Sequence, residues 1–126
     1  MKTLVVLFFV FAGAFTVSAS DDLPYKTCEM EKDIDLACST REAMASMLQT
    51  FPREDVYTRQ KLLDSEVCIE LNKRNVKELR KYDAVKMPIY SNDTIRQVPV
   101  LWMKVKLYGK DEFFDIFMSD ILLKCK

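Results

Sequence analysis

Histidine is missing from this chain of 126 residues. Without an imidazole there is no Ser-His-Asp triad, no Cys-His dyad and no histidine ligand for a zinc hydrolase. Glycine is nearly missing too: Gly13 and Gly109 are the only 2. So few glycines cannot build the phosphate-cradling loops of nucleotide-binding motifs. They also disfavour a domain of many tight hairpins, whose turns lean on glycine or asparagine. Net charge is absent, with 19 basic residues against 19 acidic ones. Nucleic-acid binders carry a clear basic excess, so no nucleic-acid partner is expected. The cysteines include no CxxC pair, which argues against a zinc site. No cofactor is expected.

What is present starts with a leader. Met1-Lys2-Thr3 gives a positive start, Leu4 to Ala14 is almost wholly apolar, and Val17-Ser18-Ala19 offers small residues at a cut. This predicts a signal peptide over residues 1–19 and a single secreted domain over 20–126. The run is too short to span a bilayer, which takes about 20 apolar residues, and Asp21 and Asp22 follow it. No transmembrane segment is expected after processing.

Secretion places Cys28, Cys38, Cys68 and Cys125 in an oxidising compartment, where two disulfides are the default. The pairing is not fixed by sequence. Joining Cys28 to Cys125 would clasp the two ends and leave Cys38 with Cys68. On one helix Cys28 and Cys38 would stand about 15 Å apart, too far to bond. The sequon Asn92-Asp93-Thr94 makes Asn92 a candidate glycosylation site.

Along the chain, Ser39-Thr40-Arg41-Glu42 reads as a capping box. Ala43, Met44, Met47, Leu48 and Phe51 follow at helical spacing. From Arg53 to Ala84, apolar residues recur mostly every three to four positions, predicting one long helix or two, with a break near Asn72 and Asn75. Lys86 to Gln97 reads as a connector. Val98 to Tyr108 reads two ways: as a strand, by its cleaner alternation, or as a helix from Pro99 with Trp102, Val105 and Tyr108 in a stripe. After Gly109, Asp111 and the spacing of Phe113, Phe114, Phe117, Ile121 and Cys125 predict a final helix. The expected fold is a compact, mostly α domain of three to four helices with two disulfides. The alternative is α+β, with a small sheet from residues 66–71 and 98–108.

Lys73, Arg74, Lys77, Arg80 and Lys81 form a local basic cluster, most of it a stripe if the segment is helical. Such a stripe suits an anionic glycan, a lipid headgroup or an acidic protein surface. Two carboxylate pairs stand one helical turn apart, Glu66 with Glu70 and Asp111 with Asp115. Paired carboxylates can serve acid/base work, but these fit a solvated helix face better, so no enzyme is expected. Met44, Met47, Met87, Met103 and Met118, with Trp102, Phe113, Phe114 and Phe117, are candidates for a ligand cavity, since methionine adapts to irregular shapes. The expected function is a secreted binding effector acting on an extracellular protein or receptor, as toxin-like, cytokine-like or reproductive proteins do. The alternative is an extracellular carrier of a small hydrophobic ligand.

Overall fold

The computed structural model of the chain describes Phe15, residues 23–119 and residues 123–126. The expected leader, Phe15 apart, and its cut after Ala19 lie outside the described residues.

The protein is mostly β, which overturns the helical expectation. Its described strands are β1 (Lys26–Met30), β2 (Ile34–Cys38), β3 (Cys68–Asn72), β4 (Val76–Ser91), β5 (Thr94–Leu107), β6 (Phe113–Ser119) and β7 (Leu123–Cys125). They form one antiparallel sheet in the order β3-β2-β6-β5-β4-β1-β7. Two helices, α1 (Arg41–Thr50) and α2 (Val56–Asp64), lie between β2 and β3 in sequence. The Thr40 hydroxyl caps α1 by accepting from Ala43 N at 3.0 Å. Asp55 caps α2 by accepting from Thr58 N at 3.0 Å, and hydrogen bonding from the Thr58 side chain and then its backbone holds the Asp55 carboxyl below its usual range.

Each helix expected beyond α2 failed for a physical reason. Val76 and Leu79 pack against the same core cluster although they stand three apart. The register shift between Val76 and Glu78 inserts an extra residue there, and a bulge of that kind makes a strand imitate helical spacing. In β6, Phe113 and Phe114 point to opposite faces, and both faces are covered. Phe114 is buried in the core, while Phe113 lies under the Arg80 guanidinium, 4.2 Å from its ring centre. A strand covered on both faces loses its alternation. The alternating residues from Val98 to Leu107 do belong to a strand, β5, with Tyr108 in the turn that follows, but within a much larger sheet than the alternative fold allowed.

The scarcity of glycine did not prevent hairpins. Asn92 and Asp93, at φ 46 and 28, supply the left-handed backbone of the two-residue β4–β5 turn, a geometry that asparagine and aspartate tolerate. Gly109, at φ 86, serves the β5–β6 turn.

The sheet is strongly coiled. Flat, β3 and β4 would lie four strand spacings apart, about 19 Å. Yet only the 3-10 turn Lys73–Asn75 joins them, and a wound link of that length reaches roughly 8 Å. Twist brings the ends together. One face holds the larger core cluster, with Met30, Leu71, Leu79, Leu101, Met103, Val105, Phe114, Ile116, Met118 and also Phe15. The other face carries α1, which lies across β2 to β6 and buries Met44 and Met47 with Cys38, Cys68 and Val100.

Two disulfides tie this together. Cys28 bonds to Cys125 across the register pair of β1 and β7, with Cα atoms 4.0 Å apart. Cys38 bonds to Cys68 across β2 and β3, with Cα atoms 3.9 Å apart. Each is of the kind that stabilises by about 2–4 kcal/mol.

Candidate functional site

The gap between the helix pair and the sheet is a cavity of about 480 Å³, within the usual range for small-molecule sites. Strand alternation supplies its floor. Ile34 and Leu36 of β2 share a face with Glu70 of β3, Ile89 of β4, Val98 of β5 and Ser119 of β6. Helical spacing supplies its roof, with Met44 and Leu48 one turn apart on α1 and Leu63 on α2; Phe51 and Pro52 close the corner between the helices. The walls are predominantly apolar.

The polar groups around this space are unequal. Arg59 is committed to the corner: its Nε donates to Thr50 Oγ1 at 3.2 Å, and its guanidinium lies 4.1 Å from the centre of the Phe51 ring. Thr50, buried, donates in turn to the Met47 carbonyl at 2.6 Å. Asp35 accepts from Leu36 N at 2.8 Å. Burial pushes its carboxyl up, against the opposing effects of that bond and of Lys32. Lys32, Glu70 and Arg96 are exposed at the rim. Ser119 differs from all of these. It is 9% exposed, and its Oγ is buried without a hydrogen-bond partner among the described residues.

The cavity residues proposed from sequence are scattered. Met44 lines the cavity, and Met47 and Met87 pack on the same side of the sheet. Met103, Met118 and Phe114 lie on the opposite face. Phe117 sits beneath Arg41, whose guanidinium is 5.0 Å from the ring centre. Trp102 belongs to a surface ladder of rings, 5.2 Å from Tyr82, which is 5.6 Å from Tyr25. Its indole donates to Asp115 at 3.3 Å. Leu36, Leu48, Leu63 and Ser119 were missed. Leu36 and Ser119 were signalled only by alternation in strands read as helix or loop, and Leu48 and Leu63 only by the helical spacing of α1 and α2.

The basic cluster does not form a helical stripe. Lys73 and Arg74 lie in the 3-10 turn and Lys77 on β4, all exposed. Arg80 and Lys81, neighbours on a strand, pair with Lys104 and Met103 and so point to opposite faces. Arg80 is enclosed between the Tyr25 ring at 4.3 Å and Phe113, and is paired with Glu78. Glu66 follows α2 while Glu70 lies on β3, and Asp111 sits in a turn while Asp115 lies on β6. Neither carboxylate pair shares a helix. Asn92 stands exposed at the tip of the β4–β5 hairpin.

Among the described residues no helix is long and apolar enough to cross a membrane. Comparison with protein-family models, curated proteins and solved structures finds no match for this chain.

Proposed function

We propose that this chain is an extracellular, non-enzymatic binding protein that holds a small apolar ligand between its helix pair and its sheet. The observation that carries this reading is the 480 Å³ space walled by Leu36, Met44, Leu48, Leu63, Ile89 and Val98. Apolar cavities of this size with few polar groups are the usual form of small-molecule sites. The paired cysteines fit an oxidising, extracellular-type environment. The absence of histidine from the sequence favours binding over catalysis.

The experiment is a titration of the protein with phenylnaphthylamine, whose emission rises in apolar surroundings, paired with solvent extraction and mass spectrometry of the secreted protein. Saturable enhancement that Leu48→Trp abolishes supports the reading. No enhancement together with no extractable ligand would sink it.

A second reading, an effector that docks on an extracellular protein, draws on the hairpin tip. Tyr90 and Ile95 face each other across β4 and β5 and are 51% and 59% exposed. If Tyr90 and Ile95 carry that contact, substituting both to serine abolishes it and leaves phenylnaphthylamine binding unchanged.

A further inference from the structure

The cavity floor holds one feature that packing does not explain. Ser119 lies opposite Val100 on β5, in a stretch where Val98, Leu36 and Ile89 supply only carbon. Its hydroxyl is buried with no partner among the described residues. Buried polar groups are satisfied in the great majority of cases, by protein or by something bound, and leaving one unmade is costly. Ser119 itself lines a space large enough for a ligand, and rotation about its Cα–Cβ bond, between the staggered positions open to a serine, turns the buried hydroxyl towards that space.

We propose that the cavity's ligand is an uncharged apolar molecule carrying one hydrogen-bonding oxygen, a hydroxyl or a carbonyl, which meets Ser119 Oγ at the floor. This rests on the small-molecule reading of the cavity. A serine hydroxyl both donates and accepts, so either oxygen type completes it. An anionic head is disfavoured. Arg59 is already engaged with Thr50 and Phe51, Lys32 and Arg96 stand exposed at the rim rather than at the floor, and Asp35 and Glu70 line the same space. A cationic head would have to leave water for an apolar floor, which is costly even with the half-buried Asp35 in the same space. An alcohol, phenol or ketone on a hydrocarbon frame fits both the walls and the floor.

The test displaces phenylnaphthylamine from the secreted protein with β-naphthol and with naphthalene, which differ by one hydroxyl. In the wild type, β-naphthol competes at lower concentration than naphthalene. Ser119→Ala weakens β-naphthol by roughly fivefold to tenfold, the size of one neutral hydrogen bond, and leaves naphthalene unchanged. Ser119→Thr keeps a hydroxyl and keeps the preference, which separates loss of the group from damage to the fold. Equal weakening of both competitors by Ser119→Ala, or none, overturns the inference while leaving the cavity reading intact. Failure of the wild type to bind phenylnaphthylamine, with no ligand extractable from it, overturns both, and an extracted ligand that lacks such an oxygen overturns the inference alone.

Discussion

The side-chain amide of Gln49, on α1, holds both main-chain polar groups of Tyr90 on β4. Its Oε1 accepts from Tyr90 N at 2.6 Å, and its Nε2 donates to the Tyr90 carbonyl. One side chain thereby stands in for a missing strand at the outer edge of the hairpin. Such edges otherwise present unpaired groups to solvent and to other chains. Gln49→Ala is expected to cost about 1–2 kcal/mol and to speed amide exchange at Tyr90. Exchange by NMR or mass spectrometry checks this. An unaltered Tyr90 rate contradicts it.

The two central cations of the basic cluster differ in role. Arg80 lies between two rings and against Glu78, whereas Lys77 is exposed. Arg80→Ala is expected to lower stability by about 1–2 kcal/mol, through lost cation–π contact and packing. Lys77→Ala should stay within about 0.5 kcal/mol of the wild type. Urea titration followed through Trp102, the single tryptophan of the chain, measures both.

Asp35 makes stability depend on pH with a defined sign. Its folded-state pKa is raised by burial, so the folded protein favours the protonated carboxyl. Stability is therefore lost as pH rises through the ordinary carboxylate range and regained as pH falls through it. Asp35→Asn, which keeps an acceptor for Leu36 N, is expected to be more stable than wild type at neutral pH. The difference should shrink below the unfolded value near 3.8. Thermal midpoints across acid pH test it. A gap that persists at low pH refutes the assignment to Asp35.

Phe15 belongs to the segment expected to be removed, yet it is 1% exposed among the core residues. If processing follows Ala19, the intact mass of the secreted protein will correspond to a chain starting at Ser20. Phe15→Ala should then destabilise only the unprocessed chain, by about 3–5 kcal/mol, and leave the secreted product unchanged. A secreted chain that retains Phe15 and is weakened by its loss reverses that order.

Legibility of the fold varied with how each residue's two neighbouring faces were filled. α1 was legible because one face is solvated and Met44 and Met47 mark the other. β5 was half legible: Leu101, Met103 and Val105 alternate with Trp102, Lys104 and Lys106, but Trp102, Val105 and Tyr108 also stand at helical spacing. β4 was not, because its bulges displaced Val76 and Leu79 into helical spacing. β6 was not, because Phe113 serves the cation–ring ladder while Phe114 serves the core. The site was barely legible at all. Its floor comes from strands distant in sequence, and nothing marked Ser119 apart from other serines until the space above it was visible.

The bond between Cys28 and Cys125, 97 residues apart, encloses nearly the whole described domain, with Cys38–Cys68 nested inside it. A protease that cuts once anywhere between Cys28 and Cys125, even at the exposed Asn92-Asp93 tip, releases nothing. Both pieces remain one covalent molecule, and the break becomes visible only after reduction. For a protein in a protease-rich fluid, size on a non-reducing gel is thus no guide to whether the backbone is whole.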